Sequence, residues 1–299
     1  MAQPGPLGLV LTIGYSLLMA FLIAGTRRKA KARMHGRIGP PLWQPLLDFL
    51  KLLYKDLSLP STFSMIFFLA PVVGAIVGIV ASLIVPLPGI QTLSFSGDIA
   101  VLVILVGAID FMLLTGGVSS GNPYSWVSFS RAAMLAIIRE VFVAASFAAL
   151  VVKAQETSLV EAILRRYLPL HFKASLGIFF LVCSLGVSLT TVFSAPLAET
   201  EILEGFLIEY SGPLLALAEL THMLQTYIML SLSSTLIASA LSTGATGIIV
   251  HILLLLVFSL LTSFLDSAFA RLRIGAAVKI YALLLAICTL CVYASLMLG

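Results

Sequence analysis

Eight apolar runs constrain this chain more than any motif. They lie at about 7–24, 63–85, 99–115, 132–152, 174–193, 213–237, 248–265 and 276–298. Each is close to the ~20 residues that an α-helix needs to cross the hydrocarbon of a bilayer. No water reaches the backbone there, so each run has to satisfy its own amides and carbonyls, which a helix does. The fold class that follows is an all-α integral membrane protein of about eight transmembrane helices, read as a single transmembrane domain over 1–299. Composition agrees: 60% of residues are hydrophobic and 10% charged, with a mean hydropathy of +1.13. Soluble domains hold about half apolar and a quarter charged residues. The run 7–24 has no charged segment before it and no obvious cleavage site, so it reads as a retained span and not a signal peptide. The absence of an internal repeat argues against an inverted-repeat transporter.

The loops orient the chain. Arg27, Arg28, Lys29, Lys31, Arg33 and Arg37 follow the first run, and by the positive-inside rule that loop is cytoplasmic. About eleven Lys and Arg then fall inside against four outside, with both termini outside the cell membrane. Gly39-Pro40-Pro41 excludes helix. Over 43–57, Leu46, Leu47, Leu50 and Leu53 oppose Asp48, Lys51 and Lys55, the pattern of an amphipathic helix lying at the lipid interface. Residues 116–130 read as a loop, and 153–173 as an outer loop with a short amphipathic helix. The net charge of +4 lies next to spans and carries no nucleic-acid signal. Cys183, Cys288 and Cys291 sit in apolar runs, cannot complete a four-cysteine metal or cluster site, and read as buried thiols.

The chemistry concentrates in carboxylates. Residues 195–220 hold Glu199, Glu201, Glu204, Glu209 and Glu219 in a chain that is otherwise oily and slightly basic. Glu201, Glu204 and Glu209 recur at roughly helical spacing, which would line them along one inner surface. Asp110, Arg139 and Glu140 fall inside spans, where ionisable groups cost a few kcal/mol and face a bundle interior or wet cavity. Neighbours on a helix point about 100° apart, so Arg139 and Glu140 are expected to serve different partners. Blander readings stay open: a solvated acidic loop, an Asp110 satisfied by backbone or hydroxyl groups, a packed His222. Several carboxylates at different depths would suit a proton relay. No P-loop, dinucleotide fingerprint, H-E-x-x-H or nucleophile elbow appears, so the chain is expected to carry no redox centre, cofactor, metal or catalytic residue of its own.

Four blocks resemble a known family. Arg37-Ile-Gly-Pro40 with 43–56 (WQPLLDFLKLLYKD) is similar to R-V-G-P and L-Q-P-L-x-D-x-x-K-L-L-x-K-E. Tyr124, Arg131-Ala132-Ala133 and Glu140 keep a second spacing. Phe193, Pro196, Glu199, Glu201, Gly205, Glu209-Tyr210-Ser211-Gly212 and Ala218-Glu219 follow P-F-D-x-P-E-x-E-x-E-L-V-x-G-x-x-x-E-Y-S-G and its later A-E. Phe269-Ala-Arg271-Leu-Arg273 is similar to F-P-R-x-R. The chain thus resembles the quinone-module membrane subunit of respiratory complex I and the homologous subunit of energy-converting membrane-bound [NiFe] hydrogenase-type complexes.

That resemblance implies a coupling subunit in a larger complex. Fe–S clusters and, in the hydrogenase-type relatives, a [NiFe] centre are then expected on other subunits. A peripheral arm of Fe–S and large catalytic subunits would dock on the cytoplasmic face against Arg27, Arg28, Arg33, Arg37, Asp48, Lys51, Arg131, Arg271 and Arg273. Antiporter-like and small membrane subunits would be neighbours in the bilayer. Protons would pass from Glu199, Glu201, Glu204 and Glu209 through Glu219, Glu140 and Asp110. Departures bear on the substrate. Ser194, Leu197, Pro123, Asp266 and Gly275 replace usual Asp, Glu, Lys, Arg and Asp, and the loop after the first span is short. They favour the ferredoxin-linked hydrogenase type over a quinone-reducing complex I of NADH or F420 type. A passive anchor without a proton path is the alternative of another class, and a free-standing antiporter has least support.

Overall fold

In the computed structural model, residues 5–60, 62, 64–90, 92–164, 168–187, 191–194, 196, 199–203, 205–242 and 244–298 are described. The chain runs α1 (Pro6–Met34), α2 (Gln44–Leu53), α3 (Met65–Ile84), α4 (Asp98–Val118), α5 (Pro123–Ala154), α6 (Leu159–Leu164), α7 (Leu170–Val187), α8 (Glu199–Ile202), α9 (Gly212–Leu241), α10 (Ala245–Ala268) and α11 (Ile274–Met297). Among the described residues, eight of these helices are long and apolar enough to cross a membrane. The all-α membrane class is what the apolar runs require.

The helix ends differ from the limits of the apolar runs. α1 continues through the basic run to Met34, because Lys and Arg are good helix formers and Lys31 and Arg33 sit favourably at the negative end of the helix dipole. Gly36 (φ +72°) and Gly39 (φ +76°) then turn the chain back. It passes so close to α1 that a Cβ on Gly25 would lie 1.9 Å from the Leu42 carbonyl oxygen. The expected loop 116–130 is much shorter. Gly116 and Gly117 stay helical, and α5 starts at Pro123 with Asn122 accepting from the Tyr124 amide at 2.9 Å. α7 starts at Leu170, so Lys173 lies inside a helix, where it is buried and donates to Ser239 Oγ at 3.2 Å.

α9 is the central post, packed against α1, α2, α3, α4, α7 and α10. Small residues let backbones approach: Gly74 and Gly78 of α3 face Thr221 and Leu224, and Gly177 of α7 faces Ile237. Hydroxyls cross-link helices, as in Thr26–Ser259 (3.0 Å), Ser16–Ser82 (3.1 Å) and Ser175–Ser295 (2.9 Å). Outward-facing positions such as Leu253, Leu260, Phe264, Leu283 and Leu290 are apolar and exposed, as a lipid-facing surface requires. Of the three thiols only Cys183 is buried. Cys288 is half-buried and Cys291 is exposed, because α11 is an outer helix and turns that face away from its neighbours.

Candidate functional site: a charged chamber leading into the bundle

At the end of the bundle that carries α2, the acidic segment does not form one helix. α8 is a single turn, and the chain enters the left-handed region at Leu203 (φ +50°) and Gly205 (φ +58°). Gly205 sits where a Cβ would lie 2.3 Å from Ser128 Oγ and 2.5 Å from the Pro196 carbonyl oxygen, a position only glycine fits. Ser125 and Ser128 of α5 bond the Gly205 and Pro196 carbonyls at 3.3 and 2.5 Å, so the segment is stitched to α5. Phe206 and Tyr210 close over Gly117 and Gly116 of α4, with Tyr210 stacked on Phe67 at 4.4 Å.

The expected alignment of Glu201, Glu204 and Glu209 on one helical surface is therefore corrected, since the two left-handed residues break the helix between them. Glu204 lies outside the described residues, and of Glu199 only its place at the start of α8 is described. Glu201 points outward, held by Arg131 at 2.7 Å and Arg271 at 3.3 Å. The hydrogen bond from Arg131 keeps its carboxyl below the usual range, against an opposing effect of desolvation and with help from the charges of Arg131, Arg271 and Arg273. Glu209 accepts from Asn122 Nδ2 at 2.6 Å. Burial pushes the Tyr210 phenol up, so it stays protonated.

Because Glu201 titrates lower in the folded chain, its contribution is full above the unfolded carboxylate value of about 4.3 and fades as pH falls through the lower folded value. Glu201→Gln is thus expected to speed amide hydrogen exchange over 199–211 at neutral pH. The difference from wild type should narrow below about pH 4. Equal exchange at neutral pH would show that Glu201 does not anchor the segment.

Deeper in the bundle, Arg139 of α5 is buried and holds two carboxylates. It ion-pairs with Asp110 of α4 and reaches Glu140 Oε1 at 3.2 Å. The expectation that Arg139 and Glu140 serve different partners is therefore corrected. The cause is simple: the long guanidinium folds back to its own neighbour while its other edge meets α4. Asp110 is accordingly ion-paired and not merely satisfied by hydroxyls.

His222 connects these parts, a role that its position in the sequence does not announce. Its Nε2 lies 2.8 Å from the Val187 carbonyl oxygen, and its ring lines three cavities. One of about 260 Å³ is bordered by Arg27, Arg28, Lys31 and Asp266. A second of about 200 Å³ contains Glu219 and Arg28. The third, about 40 Å³, contains Asp110, Arg139 and Gln225. Lys31 and Asp266 pair at 2.9 Å beside the first. The one signal for this in the sequence is spacing: Glu219 and His222 are three residues apart and share a helix face.

The remaining predicted basic residues gather at the same end. Arg28 pairs with Asp48 at 2.6 Å, and Arg33, Arg37, Lys51 and Arg273 are exposed. The arrangement is a cationic rim, an acidic segment pinned across it, and three cavities that meet at His222, one of them lined by Asp110 and by the Arg139 that also holds Glu140.

Known proteins are similar to this chain in sequence and fold. Hydrogenase-4 component C of Escherichia coli is 28% identical over 268 residues, covering 85% of this chain and 84% of that protein. The H subunit of NADH-quinone oxidoreductase from Syntrophotalea carbinolica is 31% identical over 234 residues, 69% of this chain and 68% of that one. Formate hydrogenlyase subunit 4 of Escherichia coli is 30% identical over 206 residues, 65% of each. A chain of the membrane-bound sulfane sulfur reductase, an archaeal respiratory membrane complex, has the same fold: TM-score 0.81 over 97% of this chain and 98% of that one, at 22% identity. The NADH dehydrogenase family profile matches residues 7–297, from the start of α1 to the end of α11. On that match, and on a fold shared from end to end, the chain belongs to the NADH dehydrogenase family, the family of complex I subunit 1.

Proposed function

We propose that this chain is the membrane-embedded coupling subunit of a complex I-like, ferredoxin-linked hydrogenase-type oxidoreductase. The observation that carries the reading is the Asp110–Arg139–Glu140 cluster, of which Asp110 and Arg139 line a cavity beside His222. One guanidinium neutralises one carboxylate, and the second is left able to gain or lose a proton at a depth where a permanent charge is costly. Likeness over more than four-fifths of both chains to hydrogenase-4 component C supports the hydrogenase type.

In this reading the basic end faces the cytoplasm and both termini face outside, following the positive-inside rule. Arg28, Arg33, Arg37, Arg131, Arg271 and Arg273, with Arg27 at the cavity margin, offer a cationic surface to the peripheral Fe–S and catalytic subunits. Asp48 positions Arg28 within it. Redox events in that arm shift the segment that carries Glu199, Glu201, Glu204 and Glu209. Protons then pass by Glu219 and His222 to Asp110 and Glu140, and on toward antiporter-like neighbours.

A quinone-binding role is the second reading, favoured by the likeness to the H subunit of NADH-quinone oxidoreductase. The cavity of about 260 Å³ suits it poorly, because Arg27, Arg28, Lys31 and Asp266 share its lining with Ala20, Ile23, Ala24 and Met223, where a quinone ring needs a mostly apolar slot. Electron transfer from reduced ferredoxin in the purified native complex separates the two. Hydrogen or sulfide evolution without bound or added quinone is the expected result. Strict dependence on quinone would replace the hydrogenase-type reading with the complex I one.

A further inference from the structure

A second buried polar cluster lies between α1, α9 and α10, and it contains no carboxylate. Among the described residues, Tyr15 Oη and His251 Nε2 are buried without a hydrogen-bond partner, and Tyr227 Oη and Ser231 Oγ are buried with none of good geometry but close enough to act on each other. They are neighbours. The rings of Tyr15 and His251 are 6.3 Å apart between centroids, the phenols of Tyr15 and Tyr227 act on each other electrostatically, and Ser231 is one turn beyond Tyr227. Tyr227, Ser231 and His251 are fully enclosed.

The hydrogen-bond network assigns the proton of the neutral His251 ring to one nitrogen. Ser234 Oγ donates its only proton to the Ser231 carbonyl at 3.0 Å, so it can only accept from His251 Nδ1, 2.9 Å away. Nδ1 therefore bears the hydrogen of the neutral ring, and Nε2 presents a bare lone pair. Among the described residues no charged side chain acts on this imidazole; Tyr15 from α1 and Ser234 from α9 face it.

A water molecule in a protein interior needs two to four polar partners, and this cluster supplies two phenols, a hydroxyl and an imidazole lone pair. We infer that Tyr15, Tyr227, Ser231 and His251 form a water-holding proton site, separate from the carboxylate cluster, with His251 as its titrating group. In uptake the held water relays a proton: it gives one to Nε2 and takes one from the water beyond it, one O–H bond breaking as another forms, while Nδ1–H stays bonded to Ser234 Oγ. Release runs the same relay in reverse, so the water stays neutral throughout and the imidazolium holds the charge. The site begins within a turn of the cavity of about 260 Å³, since Thr226 of that lining precedes Tyr227. It would act as a second station beside the carboxylate route, an inference that rests on the proton-coupling reading above.

The test uses the intact complex. Cryo-electron microscopy at a resolution that shows water should find density within hydrogen-bonding distance of His251 Nε2 and of a phenol oxygen; a dry cluster overturns the inference. In proteoliposomes, His251→Phe should lower protons moved per electron several-fold while electron transfer with a protonophore is retained. Unchanged pumping overturns the proton role. If His251→Phe fails to assemble, Tyr15→Phe, which removes only a hydroxyl, gives the same two outcomes. Glu140→Gln measured in parallel separates the failures. Loss of coupling there with none at His251 sinks this inference alone, and loss at neither sinks the proton-coupling reading too.

Discussion

Arg139→Leu is expected to destabilise the subunit by about 3–5 kcal/mol, the cost of removing one partner from a buried ion pair. The number follows from what is left behind. Asp110 and Glu140 would share a buried site with no cation, so at least one has to take up a proton and both lose their donor. Arg139→Lys should recover only part of the loss, because an ammonium keeps the charge but cannot present two edges to two carboxylates. Asp110→Leu combined with Arg139→Leu should be milder than Arg139→Leu alone, since it removes one of the two stranded carboxylates and the repulsion between them. The thermal midpoint of the solubilised complex and the amount of this subunit it retains give the readout. An Arg139→Leu complex as stable as wild type would mean that the cluster is hydrated enough to need no cation.

The second large effect is on coupling. Glu140→Gln keeps the shape of the side chain, the helix and a polar partner for Arg139, so assembly should survive. What disappears is the ability to carry a proton, and a transfer step that loses its acid–base group slows by roughly 10²–10⁴. Proton movement per electron should therefore collapse in proteoliposomes while electron transfer, relieved with a protonophore, continues. A passive anchor makes the opposite forecast: Glu140→Gln would alter assembly or nothing, and never coupling by itself. Wild-type pumping in this variant would favour the anchor over the relay.

Much of this protein is legible along the chain, because the membrane leaves few solutions. Eight apolar runs in a solvent without water have to become eight helices, and those helices follow. The amphipathic pattern after the first run becomes α2, with Leu46, Leu47 and Leu50 outward and Asp48 meeting Arg28. The motifs that carry the family resemblance are local strings and survive being read in one dimension. Helix ends are less legible, since Gly116 and Gly117 look like a loop until Tyr210 and Phe206 are seen packed on them.

The site depends on partners far away in the chain. Spacing suggests that Glu201, Glu204 and Glu209 line one helix, but Ser128, Pro196 and a left-handed Gly205 break that helix. Arg139 joins Asp110 across 29 residues, and His222 reaches Val187 across 35. Periodicity reports the face a residue takes on its own helix; it carries no information on which face of which other helix stands opposite. The order of residues alone establishes an eight-helix membrane protein of this family with acids inside it. Which acids share a cation, which line a cavity and which stay at the rim is settled only when α4 and α7 pack on α9 and α5 packs on α4 and α7.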